Sequence, residues 1–150
     1  MIENYKKPQK TLFVYRLNSI DTVNECIEYI GENFKNSIVY YLTNNALNDQ
    51  NAILNYLDSN DIKAINFASP VEISLDFNFI LKIKNNYKVL LIAWHFDIEE
   101  YFDIYFVYMS QLFDLILVDE LSELQRYKNY GFNPVAFNPG ISLKYKMEPE

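Results

Sequence analysis

The stretch 88–102, KVLLIAWHFDIEEYF, contains the side chains of this protein that are best suited to chemistry. It holds the single tryptophan and the single histidine of the chain, Trp94 and His95, side by side. Four carboxylates follow within eight positions of the histidine, at Asp97, Glu99, Glu100 and Asp103. An imidazole can act as a general base or bind a substrate near neutral pH. The stretch is therefore a candidate general-base site centred on His95.

The carboxylates of this stretch also have a structural interpretation. Asp97 stands where a strand gives way to a helix, so its carboxylate can accept the free backbone N–H groups of the first turn. Glu100 lies three residues on and completes a capping box of the form D-x-x-E. Glu99 and Asp103 add negative charge where the helix dipole favours it. Helix capping is the favoured role for Asp97.

His95 is the residue that capping does not explain. It ends what reads as a central strand, and ligands of open parallel sheets bind outside the carboxyl ends of the strands. The alternative is a partly buried, hydrogen-bonded histidine at a strand end. The residues alone leave both interpretations open.

The elements that position these residues follow from a regular alternation of short β-rich runs with helical patterns. The predicted strands are 11–17, 37–43, 62–68, 87–94, 114–119 and 134–139. The predicted helices are one capped by Asn18 or Ser19, one capped by Asn44 or Asn45, and three over roughly 73–86, 98–112 and 120–130, the last closed by Gly131. Residues 71–79 also alternate like a strand, but a crossover is needed before the next strand, so a helix is preferred.

This order predicts one α/β domain of Rossmann-like, flavodoxin-like type, with a parallel sheet of about six strands and helices on both faces. The domain spans 11–142, after an N-terminal extension at 1–10. Residues 143–150 read as a tail or the start of a linker to a second domain.

Composition excludes several classes of function. The net charge of −7 argues against binding duplex nucleic acid, which needs a clustered basic face. One histidine and one cysteine are too few for most zinc or iron sites, so no metal is expected. Three glycines, none in a G-x-G-x-x-G or Walker pattern, leave no nucleotide-binding loop. No apolar run approaches the roughly 20 residues of a membrane span, and residues 1–10 lack a signal sequence, so a cytoplasmic location is expected.

The predicted helix 98–112 is apolar around nearly its whole circumference, which is typical of a helix buried on more than one side. An outer helix of a domain this size should be wet on one face. Either an extra element of the fold covers it, or a missing domain or a second subunit does, and a partner surface is the favoured interpretation. The residues of this expected partner surface are Tyr101, Tyr105, Tyr108 and Met109.

The stretch from Lys88 to Ser142, VLLIAWHFDIEEYFDIYFVYMSQLFDLILVDELSELQRYKNYGFNPVAFNPGIS after the lysine, resembles the amino-terminal half of GT-B glycosyltransferases, especially the CgeB-like (spore-maturation) family. The shared elements are an apolar strand that ends in an aromatic residue near an Asp, an aromatic-rich helix, FDLILVD, a helix ending YKNYGFNP, and a strand running into FNPG. The first 87 residues match only in their alternation.

The resemblance implies an acceptor-side domain, without a cofactor of its own, whose missing C-terminal half would bind the nucleotide-sugar donor. It implies His95 and Asp97 as the catalytic candidates. The residues implied to bind substrate are Trp94, Asp119, Glu120, Asn138 and Gly140. The family tends to place a second acidic residue where His95 and Phe96 stand here. By this interpretation residues 1–150 alone are not expected to transfer sugar.

A second interpretation is a non-catalytic interaction or regulatory domain on a flavodoxin-like fold, docking through the aromatic helix 98–112. Receiver domains share such a fold, but the paired acidic residues that they carry after the first strand are replaced here by Arg16, Leu17 and Asn18. Fold alone does not decide between the two interpretations.

Overall fold

A six-stranded, entirely parallel sheet organises the protein, in the order β2-β1-β3-β4-β5-β6. The computed structural model describes residues 10–15, 36–43, 45–68, 75–95, 102–118 and 121–136. The strands are β1 (Lys10–Tyr15), β2 (Ser37–Tyr41), β3 (Ile62–Ala68), β4 (Leu90–His95), β5 (Leu115–Val118) and β6 (Val135–Ala136). The predicted α/β, Rossmann-like fold class is confirmed.

The described helices follow the strands in the predicted order. They are α1 (Ala46–Ser59), α2 (Phe77–Asn86), α3 (Val107–Ser110) and α4 (Leu121–Asn129), and a π-helical turn, Phe102–Phe106, runs directly into α3. The helix predicted between β1 and β2 lies outside the described residues.

Local chemistry explains where these helices begin and end. The Asn45 side chain accepts the backbone N–H of Asn48 at 3.1 Å, as predicted for the cap of α1. Asp76 accepts the N–H of Phe79 at 2.8 Å and starts α2, which confirms a helix before β4. Gly131 follows α4 with φ 84°, a left-handed conformation that glycine adopts without strain.

The main hydrophobic core lies on one face of the sheet. The strand residues that line it are Leu12, Val14, Ile65, Phe67, Leu91, Ala93, Ile116 and Val118. The four helices add residues to this same cluster, among them Ile53, Ile80, Met109 and Tyr127. From β2 onward every connection crosses the sheet in one direction, and right-handed crossovers then place all of these helices on one face.

A second, smaller cluster lies on the opposite face, at the carboxyl end of the sheet. Tyr15, Ala68 and Trp94 form one row across β1, β3 and β4, and all three are buried. The connection from β1 to β2 crosses the sheet in the direction opposite to all the others, so the strand order reverses beside β1. The carboxyl ends of β1 and β3 are therefore the topological switch point, where open α/β sheets bind ligands.

The aromatic segment after β4 differs from the prediction. A single α-helix over 98–112 was expected, but residues 102–106 form a π-helix, in which each turn holds an extra residue. The wider turn places the ring of Phe102 4.8 Å from the ring of Tyr127, and the ring of Phe106 4.4 Å from that of His95. Packing against these two partners accounts for the change of helix type.

Candidate functional site

His95 ends β4 and lies entirely inside the protein, with 0% of the residue exposed. Its ring stacks on Tyr127 of α4, with centroids 5.7 Å apart. The rings of Phe106 and Phe113 stand edge-on to it, at 4.4 and 6.4 Å. The imidazole is thus enclosed by three aromatic side chains on the helix-covered face of the sheet.

The polar atoms of His95 are only partly satisfied. Nδ1 is hydrogen-bonded to the hydroxyl of Tyr127, whereas Nε2 is buried and has no hydrogen-bond partner within the described part of the chain. Burial lowers the pKa of His95 from 6.5 to about 3. The side chain is therefore neutral at physiological pH.

Tyr127 is the hydrogen-bond partner of the His95 ring. Burial raises the pKa of Tyr127, and the negative charge of Glu123 raises it further, so the phenol stays protonated. A protonated phenol can donate to a bare Nδ1 or accept from an Nδ1–H, so the bond forms with either tautomer of the neutral ring. Glu123 is itself buried, one helical turn before Tyr127, with its Oε2 3.9 Å from Nη1 of Arg126.

This environment bears on the role predicted for His95. A general base must come within hydrogen-bonding reach of the proton that it removes, directly or through one water. His95 offers no exposed atom, and its Nδ1 is already hydrogen-bonded to a core tyrosine. The geometry favours the second of the two interpretations, a buried and hydrogen-bonded histidine at a strand end.

Trp94 and His95 are neighbours in the chain but not in space. Successive residues of a strand point to opposite faces, so Trp94 packs with Tyr15 and Ala68 while His95 packs with the helices. Trp94 is itself 1% exposed. The two side chains predicted to share one site are therefore separated by the sheet.

The other predicted site residues lie outside the described residues: Asp97, Asp119, Glu120, Asn138 and Gly140. The strands that precede them, β4, β5 and β6, are nevertheless adjacent in the sheet, and their last residues are paired with one another. His95 pairs with Val118, and Val118 pairs with Ala136. The three turns that carry the predicted residues therefore start from one edge of the sheet, as the sequence analysis requires.

The expected partner surface is only partly a surface. Tyr108 is 51% exposed, and its ring lies 4.4 Å from that of Phe77 on α2. Tyr105 is half-buried, and burial raises its pKa to about 12. Met109 is 2% exposed and belongs to the core, so its assignment to a docking surface is corrected. Tyr101 lies outside the described residues.

The neighbouring helices explain this outcome. Residues 102–110 are flanked by α2 through the Phe77–Tyr108 contact and by α4 through the Phe102–Tyr127 contact. The segment is apolar on several sides because the sheet and two helices cover it. Most of its apolar surface thus needs no external partner.

Asp49 is a buried polar group that the sequence analysis missed. Its Oδ1 accepts three hydrogen bonds: from the Tyr40 hydroxyl at 2.9 Å, and from the backbone N–H and the hydroxyl of Thr43, both at 2.8 Å. Burial and the bond to Asp49 raise the pKa of Tyr40 to about 12. The sequence did contain one indication of this group, an acidic residue in the first turn of the helix that Asn45 caps. The group fastens α1 to the carboxyl end of β2.

Other possible sites carry less weight. An open cavity of about 340 Å³ is lined by Ala52, Asn55, Tyr56, Ser59 and Asn60. It lies on α1 towards the amino-terminal end of β1, where Lys10 donates to Asn60 at 2.5 Å, and so at the edge opposite to the predicted site. Within the described ranges, His, Cys, Asp and Glu side chains form no group of three able to hold a metal ion. None of the described helices is long and apolar enough to cross a membrane.

Comparison with known proteins adds no relative: no family model matches the chain, and neither do curated proteins or solved structures. The resemblance of residues 88–142 to GT-B glycosyltransferases therefore stays a prediction.

Proposed function

We propose that this chain is the acceptor-side domain of a GT-B-like glycosyltransferase and contributes the carboxyl edge of its sheet to the reaction. The observation that carries the proposal is the level ending of β4, β5 and β6, which brings three turns to one edge. These turns carry Asp97, the pair Asp119–Glu120 and Asn138–Gly140. The strand-order reversal lies between β1 and β3, next to β4 at the same carboxyl edge, and supports a crevice that borders the first of these turns.

The burial of His95 narrows the choice of base within this proposal. Asp97 follows His95 by two residues, beyond the end of β4, and is the remaining candidate to take the proton of an acceptor hydroxyl. His95 then acts from inside the fold, by fixing the end of β4 through Tyr127. The donor nucleotide sugar would be held by a second domain, because the sequence of residues 1–150 contains no glycine-rich phosphate loop.

The test uses the full-length protein encoded by the reading frame that contains residues 1–150. It is incubated with a panel of nucleotide sugars and simple acceptors, and the release of nucleoside diphosphate is measured. The proposal predicts acceptor-dependent release that Asp97→Asn lowers by roughly 10²- to 10⁴-fold, with the fold intact by circular dichroism. Asp119→Asn is the matched control and should raise KM more than it lowers kcat. A reading frame without a second domain, or activity untouched by Asp97→Asn, would refute the proposal.

A second candidate function is a protein-docking domain, and one observation favours it. Tyr108 presents half of its surface to solvent beside the partly buried ring of Phe77, on the groove between α2 and α3. Exposed aromatic pairs are frequent centres of protein interfaces. Tyr108→Ser should abolish binding of a partner captured by the purified chain while leaving glycosyl transfer by the full-length protein unchanged. Val107→Ser, on the same turn, is the control.

A further inference from the structure

The contact between β4 and α4 depends on a neutral histidine. His95 and Tyr127 are 32 residues apart in the chain, and their hydrogen bond joins the end of the central strand to the last described helix. The His95 ring also contacts Phe106 of the π-helix, and the Tyr127 ring contacts Phe102. The position of the π-helix and the position of α4 are therefore both tied to the His95 ring.

We propose that the His95–Tyr127 pair is an acid-sensitive contact. It keeps α4 and the π-helix packed against β4 at neutral pH, and it opens when His95 is protonated. A protonated imidazole has N–H groups at both nitrogens, so Nδ1 could only donate to the Tyr127 hydroxyl, and the buried Nε2–H would have no acceptor within the described residues. The charge would lie between Phe106 and Phe113, in a place with no exposure to water. Opening of the contact is the way for the charge to reach solvent.

The charged groups of the described elements around His95 do not remove this penalty. On α4, Glu123 is the nearest acid, but its carboxylate already lies beside Arg126, whose positive charge opposes a second cation. On the π-helix, Asp103 points to the surface and pairs with Arg126 at 3.6 Å and with the Tyr130 hydroxyl at 3.0 Å. From α3 and β5 the groups are the uncharged Ser110 and Val118. Burial as the dominant cause of the lowered pKa of His95 agrees with this arrangement.

The sequence makes the effect easy to assign. His95 is the single histidine of the chain, and histidine is the side chain whose ordinary pKa lies between pH 5 and 8. A proton taken up on opening between pH 6.5 and 5 is therefore assigned to this residue, with the buried carboxylate of Glu123 as the rival that a variant must exclude. Its uptake makes the opening equilibrium tenfold more favourable for each pH unit in that window.

Amide hydrogen exchange on the complete chain tests the proposal, with α1 as an internal standard at the other end of the sheet. Protection factors for Leu121–Asn129 should fall about tenfold per pH unit below pH 6.5 and, because α4 opens before the whole chain unfolds, should stay below those for Ala46–Ser59. His95→Gln keeps an uncharged side chain that can hydrogen-bond the Tyr127 hydroxyl and should abolish the pH dependence in α4. Protection in α4 as high as in α1 throughout the acid range, or an unchanged fall in His95→Gln, would overturn the proposal.

Two further variants keep the test decisive if His95→Gln does not fold. Tyr127→Phe retains the ring but removes the hydrogen bond to Nδ1, so α4 protection should be lower than in the wild type at every pH and should still fall below pH 6.5. Glu123→Gln removes the rival titrating group of α4 and should leave the pH dependence in place. If Glu123→Gln abolishes it instead, the acid response belongs to the carboxylate and the proposal fails.

Discussion

Asp49 and His95 are both fully buried polar residues at the carboxyl end of the sheet, but they differ in how many hydrogen bonds they make. Asp49, beside the edge strand β2, receives three hydrogen bonds on one oxygen. His95, at the end of the central strand β4, makes one side-chain hydrogen bond, to Tyr127, and its Nε2 has no hydrogen-bond partner within the described residues. A buried group whose donors all converge on it is stabilising, whereas a half-satisfied group is a point of weakness.

The comparison teaches that burial alone does not assign a role to a polar residue. The hydrogen bonds to Asp49 replace those that its carboxylate would make to water. His95 has no such replacement and stays neutral. The residue that looked catalytic in the sequence is thus held by packing, and the residue that looked unremarkable is held by polar contacts.

The largest effect is expected from removing the carboxylate of Asp49. Asp49→Ala leaves the Tyr40 hydroxyl and both Thr43 donors without their acceptor, and should lower the free energy of unfolding by about 3 kcal/mol or more in urea titrations at pH 7. Asp49→Asn keeps one acceptor oxygen and should cost roughly half as much. Equal losses for the two variants would mean that the cavity, and not the hydrogen bonds, matters.

Acidification should affect the His95 side of the comparison next most strongly. The pKa of His95 is about 3 when folded and 6.5 as a model value, so between these values the unfolded state binds the extra proton. The stabilising contribution of the neutral His95 is therefore fully present above pH 6.5. Below that pH the free energy of unfolding falls by roughly 1–1.5 kcal/mol per unit. Urea titrations at pH 7, 6 and 5 measure this slope. A slope that persists in His95→Gln would contradict the assignment.

Two tyrosine-to-phenylalanine variants compare the two groups directly. Tyr127→Phe leaves His95 Nδ1 without a hydrogen bond and should cost about 1–2 kcal/mol. Tyr40→Phe leaves Asp49 with both Thr43 donors and should cost less, about 0.5–1 kcal/mol. Thermal unfolding of both variants beside the wild type gives the order. The reverse order would mean that His95 does not depend on Tyr127.

The smallest effect is expected at the exposed part of the aromatic segment. Tyr108→Ser removes a half-exposed ring that touches Phe77, and should change the free energy of unfolding by about 0.5 kcal/mol or less. Met109→Ser, one residue on but buried, should cost several times more. Similar losses at the two positions would contradict the exposed position of Tyr108 and the buried position of Met109.

Much of the fold could be predicted because it depends on local patterns. β3 has the predicted bounds, and the strand that ends at His95 lies in the middle of the sheet, as its continuous apolar run indicated. The Asn45 cap and the Gly131 terminator follow from their own side-chain and backbone chemistry. The strand order was not predictable, because it depends on contacts between segments far apart in the chain.

The candidate site was harder to predict for the same reason. No residue near His95 in the sequence predicts its contact with Tyr127, which lies on the last described helix, 32 residues away. In the π-helix, Phe102 packs against Tyr127 and Phe106 packs against His95. No residue pattern in the sequence distinguishes this turn from an α-helical one. Alternation along β4 did hold one usable signal: adjacent strand residues such as Trp94 and His95 must point to opposite faces.

The central claim is that His95 is a closed, neutral group of the core and not a base open to substrate. Ring nitrogen NMR of the single histidine, in the complete and folded chain, tests it most directly. The account predicts a neutral ring and no titration between pH 8 and the onset of acid opening. An imidazole that titrates smoothly near pH 6.5 while the protein stays folded would contradict the account.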